Sequence, residues 1–527
     1  MKKNFISFIK HRSSLEAVKG FKKLRKNNPD LINEIKSKIR NSQLYIDLNG
    51  IEKRIYPDSV DLVLTVKQFL VKRLLGGQFT ITLLGFFSNG KKIVYPMPKY
   101  WISIIESYGV NVAHNRSTIL FYFFLLFTFF EGIVFFLRKL IFNPNVNKNN
   151  ESVSFFFDID PLCFSSLDNK RSFTLLDWYF EKFSTYHSKP KVFMHSVKGI
   201  TDIDLPDRKL IYRSDHYPEI KGTNKMRFFI SMASTYLKLI LLVFQLRWWN
   251  ILLAGEIMKM ELFKFQKSSK NFYWFNNSYR IYRPLWTYIA EETDNKVIFF
   301  FYSCHIGTYR EKSGYKTQTG GEELMNWPMY LVWNNTLKEY IKSQTKRKAF
   351  FHLSGAIWHH DCSKEIQNFQ KKTIAVFDVQ PYRETFTYTL GFGQSYVYDH
   401  QVPIKFLKDI QEIAQKYDFD IAFKRKRAHP LVNRKYIHFL KSFTKKTNVH
   451  EIDPSLSPHK LVEASEAVIS MPFTSTAQIG KESKKVSIYY DPMKTILKND
   501  RASHKIPVVN GKQELEIFFK KLCQIKK

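Results

Sequence analysis

The chain has 527 residues, of which 44% are hydrophobic and 24% charged, and this composition excludes a disordered tail, a coiled coil or a minimal binding module. Lys and Arg total 82 against 47 Asp and Glu, a formal net charge of +35. The excess suits a partner that carries phosphates, but a general bias toward Lys, Asn, Ile and Phe would produce it as well. The four cysteines form no CxxC pair, which favours a reducing compartment and disfavours a zinc ribbon or a disulfide scaffold.

Residues 1–60 are predicted to form a basic N-terminal segment. The first forty residues carry twelve Lys and Arg against three Asp and Glu, with apolar residues at loosely helical spacing. This pattern fits a helix on an anionic membrane surface and a solvated terminal helix equally well. The apolar stretch at 5–9 is too short for the core of a signal peptide, so secretion is disfavoured.

Two apolar stretches predict contact with a membrane. Residues 118–137 are almost continuously apolar and just long enough to cross a bilayer, although Glu131 would be costly near the membrane centre unless it is paired. Residues 228–257 are interrupted by charges and contain Trp248 and Trp249, as in an amphipathic helix with interfacial aromatics. We expect a peripheral or monotopic protein on the cytoplasmic face of the bacterial inner membrane, with a single span at 118–137 left open.

Elsewhere, short β-branched and aromatic runs alternate with helical patterns, as in parallel sheets covered by helices. The first half has strand candidates at 79–87, 110–114, 153–159, 191–197, 209–213, 272–275, 297–303 and 329–332. The second half has strand candidates at 373–379, 420–426, 449–452, 467–471 and 486–490, with five helices between and after them. This rhythm predicts an α/β fold with two Rossmann-like domains: an acceptor and membrane domain at 61–370 and a nucleotide-sugar domain at 371–527.

A cationic segment, KRKRAHP at 424–430, follows the strand predicted at 420–426. Arg offers a planar fork to phosphate oxygens and Lys a point charge. His429 would donate a hydrogen bond to the phosphate or protonate it as it departs, which makes it a catalytic candidate. The alternative is a solvated basic loop. The candidate phosphate ligands in this segment are Lys424, Lys426, Arg427, His429 and Pro430.

A hydroxyl-rich segment follows the strand predicted at 467–471. Thr474, Ser475 and Thr476 begin a predicted helix, where hydroxyls and free backbone N–H groups form an anion site helped by the helix dipole. An ordinary helix cap is the alternative. Together with the cationic segment, these residues predict a two-part clamp on a nucleotide phosphate.

The acceptor side has weaker signals. Asp158 and Asp160 follow a strand-like run and are candidate catalytic bases, and Asn276 and Asn277 suit acceptor hydroxyls. No DxD-like carboxylate pair stands out in a loop with metal-site surroundings, and the group at 359–362, HHDC, lacks a second ligand segment. We therefore predict transfer without a metal or another cofactor, with the cations neutralising the leaving phosphate.

Nine segments carry a resemblance to a known family. They are FYWFNNSYRIYRPLWTYIAEE (272–292), KVIFFFYS (296–303), MNWPMYLVWNN (325–335), SGAIW (354–358), AVFDVQPYR (375–383), KRKRAHP (424–430), EIDP (451–454), VISMPFTSTA (468–477) and YYDP (489–492). Over roughly residues 270–510 the chain resembles bacterial surface-polysaccharide biosynthesis proteins. The resemblance implies a GT-B-fold glycosyltransferase, in which two Rossmann-like domains face a central cleft.

His429–Pro430 and Ser475–Thr476 resemble the motifs with which bacterial sialyltransferases and Kdo transferases hold the phosphate of a CMP-sugar. Those families also use an acidic pair before a glycine as the base. Gly321–Glu322–Glu323 has the reverse order here, so the resemblance identifies no base.

The expected function is that of a membrane-associated glycosyltransferase of capsule, lipopolysaccharide or related surface polysaccharide. It would transfer a sugar from a nucleotide-sugar donor, CMP-linked by the resemblance, to a glycan or lipid-linked acceptor. One alternative is a polyol-phosphate transferase that uses a CDP-alditol. Another is a non-catalytic basic protein that binds membranes or polyanions. No nucleic-acid-binding motif is recognisable, so nucleic acid is not expected as a partner.

Overall fold

The computed structural model describes residues 15–24, 27–28, 30–141, 153–157, 192–196, 202–204, 209–213, 217, 223–265, 270–306, 309–311, 314–315, 320–345, 347–356, 366, 369–389, 399–425 and 431–524. The helices are α1 (Leu31–Asn41), α2 (Glu52–Ile55), α3 (Leu62–Leu74), α4 (Gly77–Asn89), α5 (Lys99–Glu106), α6 (His114–Ile141), α7 (Thr223–Phe244), α8 (Trp248–Leu252), α9 (Ala254–Phe263), α10 (Trp286–Glu292), α11 (Asn335–Gln344), α12 (Glu384–Thr389), α13 (Gln401–Lys416), α14 (Arg434–Phe443), α15 (Pro458–Glu463), α16 (Ser475–Glu482) and α17 (Gly511–Gln524). The strands are β1 (Val153–Phe156), β2 (Val192–His195), β3 (Ile203–Asp204), β4 (Lys209–Tyr212), β5 (Phe272–Phe275), β6 (Lys296–Phe300), β7 (Arg310–Glu311), β8 (Gly314–Tyr315), β9 (Met329–Val332), β10 (Phe350–Leu353), β11 (Thr373–Phe377), β12 (Asp420–Lys424), β13 (Val449–Ile452), β14 (Ala467–Ser470), β15 (Val486–Asp491) and β16 (Val508–Asn510).

Two sheets organise the chain into an N-lobe and a C-lobe. The N-lobe sheet has the order β10-β9-β6-β5-β1-β2-β4-β3, with only β3 antiparallel to its neighbour, and the C-lobe sheet has the all-parallel order β13-β12-β11-β14-β15-β16. Short strands such as β5 and β11 are continuously apolar and wholly buried, because helices cover both faces of a parallel sheet. The predicted α/β class with two Rossmann-like units is confirmed.

Both sheets reverse direction at one point. When the parallel strands of each lobe are numbered along the chain, the C-lobe reads 3-2-1-4-5-6 and the N-lobe reads 3-2-1-4-5-6-7. The reversal lies between β11 and β14 in the C-lobe and between β1 and β5 in the N-lobe. Doubly wound sheets bind ligands in the crevice that opens there, outside the carboxyl ends of the strands.

The strand predicted at 79–87 is wrong, because this stretch is helix α4. Phe79, Leu83 and Leu84 are buried on one side of the helix, and Gly90 ends it in a left-handed conformation that glycine adopts easily. Aromatic and β-branched residues favour strands locally, but here packing of one helical face outweighs that preference. The strand predicted at 110–114 is reduced to one bridge between Ile93 and Val112.

Helix α1, within the predicted basic N-terminal segment, packs into the N-lobe. Ile32, Ile35 and Ile39 of α1 are buried in the largest core. Arg40 is buried and forms an ion pair with Glu323 at 2.5 Å. Helix α1 is therefore part of the folded body, with its apolar face turned inward.

Helices α6 and α7 form an antiparallel pair on the outside of the N-lobe. The rings of Phe129 and Tyr236 are 5.5 Å apart, and those of Phe136 and Phe228 are 5.8 Å apart. Under this pair lies α9, which approaches α6 closely because Gly132 faces Gly255; a Cβ at position 132 would lie 3.2 Å from the Gly255 backbone. The inner faces of the pair are thus packed against protein.

The outer faces of these two helices are exposed and apolar. Within the part of the chain that the structure describes, two helices, His114–Ile141 and Asn224–Phe244, are long and apolar enough to cross a membrane, and α3 and α4, bent by 64°, would count as a third if they formed one span. Glu131 pairs with Arg73 at 2.5 Å. The exposed large side chains are Ile119, Leu120, Tyr122, Phe123, Leu126, Phe127, Phe130, Val134, Leu137 and Ile141 on α6 and Met226, Phe229, Ile230, Leu237, Ile240, Leu241 and Phe244 on α7.

Candidate active site at the junction of the two lobes

The reversal point of the C-lobe sheet is bordered by the loops that follow β11 and β14. The backbone N–H of Met471 donates to Phe377 O at 3.0 Å, and the N–H of Val379 lies 3.2 Å from the Met471 sulfur. The hydroxyl-rich segment begins three residues after Met471, at Thr474. It therefore lies where this fold class opens its ligand crevice.

The turn from β14 to α16 contains a residue in an unusual conformation. Phe473 has a φ of +63°, in the left-handed region, which costs about 1–2 kcal/mol for a residue with a Cβ. Its buried ring packs against Tyr309 at 5.0 Å and Tyr489 at 5.6 Å, and the Tyr489 hydroxyl donates to Thr474 O at 3.0 Å. Packing from both lobes thus holds the turn in a conformation that it would not favour alone.

The three hydroxyls of the segment have different partners. Thr474 Oγ1 donates to Met471 O at 2.9 Å, and Thr476 Oγ1 lies 2.9 Å from Ser470 Oγ. Ser475 Oγ accepts the backbone N–H of Cys304 at 3.2 Å. Two hydroxyls therefore stabilise the turn itself, while Ser475 contacts the loop that follows β6 in the N-lobe.

Two histidines reinforce this contact between the lobes. His305 Nδ1 donates to Phe473 O at 3.1 Å. His504 Nε2 donates to Cys304 O at 2.8 Å and its Nδ1 lies 3.2 Å from Asn334 Oδ1, while burial lowers the pKa of His504 to about 4. Burial also raises the pKa of the Cys304 thiol to about 12. These hydrogen bonds bring the carboxyl-edge loops of the two sheets together.

The cationic segment begins at the same edge of the C-lobe sheet. Strand β12, which ends at Lys424, and β14 flank β11, so their ends lie about 10 Å apart, two strand spacings. Lys424 is 4% exposed and its Nζ donates to Pro454 O at 2.9 Å; Arg425 pairs with Glu451 at 2.6 Å. Lys426, Arg427, His429 and Pro430 lie outside the described residues.

The pH dependence of stability tests the burial of Lys424. Burial lowers the pKa of Lys424 from 10.5 to about 8, against the opposing charge of Asp453. Between these pH values the unfolded chain binds more protons than the folded chain, so stability rises with pH. We expect Lys424→Met to be more stable than the wild type at pH 7. The variant should also lack the rise in stability with pH, so its melting temperature should change less than that of the wild type between pH 8 and 10. Lys445→Met, at an exposed position, is the control and should keep the wild-type slope.

At the reversal point of the N-lobe sheet, Asn276 and Asn277 follow β5. Asn276 is buried, and its Nδ2 donates to Phe157 O at 3.1 Å, which ties the end of β5 to the end of β1. Asn277 Oδ1 is buried and has no hydrogen-bond partner among the described residues. Asp158 and Asp160, which follow Phe157 in sequence, lie outside the described residues. Both asparagines therefore lie at the carboxyl edge of the N-lobe sheet, and their contact with acceptor hydroxyls stays a prediction.

Metal ligands and aromatic side chains are two further features of the described residues. No group of three or more metal-ligating side chains occurs among the described residues, which do not include 359–362. Four tryptophans are buried in the core and are therefore not available to stack on a sugar: Trp274, Trp286, Trp327 and Trp333. Sequence reasoning missed His305, whose local signal was its position shortly after a predicted strand.

Fold and site together define an α/β protein of two Rossmann-like lobes, whose carboxyl-edge loops meet at the turn Pro472-Phe473-Thr474-Ser475. A family model described as polysaccharide biosynthesis PFTS motif protein matches residues 235–519, and the chain belongs to this family. The four letters of the motif occur here at 472–475. No curated protein matches the chain.

Solved structures show only a distant likeness. The wall teichoic acid polymerase TagF, soaked with CDPG, is 11% identical with a TM-score of 0.40, and the match covers 77% of this chain and 88% of that one. A trehalose-6-phosphate structure from E. coli with bound UDP-2-fluoro glucose is 8% identical with a TM-score of 0.37, covering 71% and 92%. The UDP-GlcNAc 2-epimerase of Methanocaldococcus jannaschii is 9% identical with a TM-score of 0.33, covering 71% and 92%.

Proposed function

We propose that this protein is a glycosyltransferase that moves a sugar from a nucleotide-linked donor to a growing surface polysaccharide. One observation carries the proposal: the PFTS turn occupies the reversal point of a 3-2-1-4-5-6 sheet and is hydrogen-bonded to the opposing lobe. Sheets of this order bind nucleotides at that point. Membership of a polysaccharide biosynthesis family gives the class of product.

The two reversal points divide the substrates between the lobes. The donor nucleotide would bind at the C-lobe reversal point, with its phosphates near the first turn of α16 and near the cationic segment. Backbone N–H groups and the helix dipole favour anions there, and cations stabilise the charge that develops on a leaving phosphate. The acceptor would approach from the N-lobe reversal point, near Asn277.

The membrane part of the proposal concerns the outer faces of α6 and α7. An exposed apolar surface of this extent marks a membrane or protein contact. The buried residues of α6 extend from Ser117 to Lys139, so its inner face is covered by protein over nearly the whole helix. We therefore favour a pair that lies in the plane of the cytoplasmic leaflet over one that spans it. Exposed cations at its ends, including Arg116, Arg138 and Arg227, suit anionic lipid headgroups.

The reaction can be tested by incubating the protein with CMP-, CDP- and UDP-linked donors. Each donor is labelled once in the sugar and once in the phosphorus. We expect release of the free nucleotide and incorporation of sugar label into a membrane glycan. Incorporation of donor phosphorus would replace the proposal with the polyol-phosphate transferase. Absence of nucleotide binding and of turnover with every donor would contradict both, and salt-sensitive binding of polyanions alone would favour a non-catalytic protein.

Ser475→Ala tests the PFTS turn within this reaction. The change leaves the N–H of Cys304 without its partner, a loss of about 1–3 kcal/mol. We expect kcat/KM to fall about 10- to 100-fold if the joined lobes are the reactive form. Ser442→Ala on the exposed side of α14 is the matched control. Wild-type turnover in Ser475→Ala would show that this contact is dispensable.

A further inference from the structure

His305 lies at the junction of the two lobes, where the proposed donor and acceptor would meet. It follows β6 at the carboxyl edge of the N-lobe sheet, and β6 is the direct neighbour of β5, whose end carries Asn276 and Asn277. The side chain is exposed, whereas the preceding residue, Cys304, is buried. The imidazole therefore lies on the acceptor lobe and against the donor lobe.

The hydrogen bond to the PFTS turn determines the tautomer of this ring. Phe473 O is a carbonyl oxygen and can only accept, so His305 Nδ1, 3.1 Å away, carries the hydrogen. In the neutral ring the lone pair is then on Nε2. A histidine whose Nδ1–H is held by a carbonyl has a defined orientation and a basic Nε2, as a general base requires.

We propose that His305 is the catalytic base of the transfer reaction, an inference that rests on the proposed function. Nε2 takes the proton of the acceptor hydroxyl while the acceptor oxygen forms a bond to the anomeric carbon of the donor. The bond from that carbon to the phosphate oxygen breaks, and its electron pair leaves with the nucleotide. The imidazolium then releases its proton to water. A single displacement of this kind inverts the anomeric configuration.

The neighbouring groups are unsuited to this role. Cys304 is buried and burial raises its thiol pKa to about 12. His504 is buried, with Nε2 committed to Cys304 O. Lys481 Nζ donates to His504 O at 2.8 Å, Glu482 accepts the N–H of Ala356 at 2.9 Å, and Asp500 accepts the N–H of Arg310 at 2.9 Å, so these charged groups already have partners.

The contact also gives the PFTS motif a role in timing. The carbonyl that orients His305 belongs to Phe473, in the turn that is held by packing from both lobes. The base is therefore oriented only when the C-lobe is docked on the N-lobe. Proton removal from the acceptor then coincides with the presence of the donor lobe, which would limit reaction of the donor with water.

His305→Asn separates catalysis from positioning. Asn Nδ2 occupies nearly the place of His Nδ1 and can still donate to Phe473 O, but it has no basic atom. We expect kcat to fall about 10²- to 10⁴-fold, with unchanged affinity for the CMP, CDP or UDP that the wild type binds. The acid limb of the wild-type kcat/KM profile, where activity falls because the catalytic base becomes protonated, should disappear.

The matched control is His438→Asn, at an exposed position on α14, which should retain wild-type rates. Activity of His305→Asn near the wild-type level would overturn the base assignment and leave the proposed function intact. Recovery of activity in His305→Asn but not in His305→Ala would overturn it in favour of a positioning role. A wild-type protein that binds no nucleotide and transfers no sugar would remove the proposed function and this inference together.

Discussion

Replacing Glu52 with alanine is expected to destabilise the N-lobe by about 3–5 kcal/mol, the range for removing one partner of a buried ion pair. Glu52 is fully buried, and its carboxylate accepts hydrogen bonds from Arg247 at 2.5 Å, Trp249 Nε1 at 2.6 Å and Asn250 Nδ2 at 2.7 Å. These donors sit at the turn from α7 into α8. The truncation would remove this acceptor from a cation and from three N–H groups, the third being the backbone N–H of Asn49 at 3.0 Å.

Urea unfolding followed by circular dichroism measures this loss, and Glu52→Gln should lose less because it keeps one acceptor oxygen. Glu292→Ala, at an exposed position, is the control and should change stability by less than about 0.5 kcal/mol. An unchanged unfolding midpoint in Glu52→Ala would mean that the buried donors find other partners.

The second large effect is expected at the membrane surface. Phe123, Phe127 and Phe130 lie on the outer face of α6, with 63%, 58% and 58% of their surface exposed. If the pair lies in a leaflet, these rings enter lipid, and burial of each contributes roughly 1.5–3 kcal/mol. Changing all three to aspartate should lower partitioning onto anionic vesicles more than about 100-fold, which corresponds to 2.8 kcal/mol.

Cosedimentation with vesicles of phosphatidylglycerol and phosphatidylethanolamine measures this change. Phe350→Asp is the matched control, because Phe350 is 73% exposed on β10, outside the α6–α7 pair, and its removal should not affect binding. The triple variant should keep the wild-type circular dichroism spectrum, since the changed rings face outward. Undiminished binding by the triple variant would place the lipid contact elsewhere on the protein.

Most strands were predictable because a strand buried on both faces of a parallel sheet is a short continuous apolar run. FYWF at 272–275 and TIAVF at 373–377 are of this kind, and both form strands. The edge strands β10 and β16 were missed. β10 is largely exposed and β16 is only three residues long, so neither shows an apolar run of sufficient length.

The candidate site was predictable in part. The PFTS segment could be recognised because residues adjacent in sequence form one turn at a strand end. The partners of that turn could not, because His305 and Phe473 are 168 residues apart. Lys424 illustrates a second limit, since its sequence neighbours predict a phosphate ligand, whereas its Nζ contacts Pro454 O in the folded chain.

The sequence by itself determined the alternation of strands and helices, the two apolar helices and the position of the motif after a strand, because these depend on local composition and spacing. Only the tertiary structure decided that 79–87 is a helix, that both sheets reverse direction beside the predicted site residues, and that a histidine of one lobe is held by a carbonyl of the other. Such contacts join segments far apart along the chain, and the free energy that stabilises them comes from packing that no local pattern encodes.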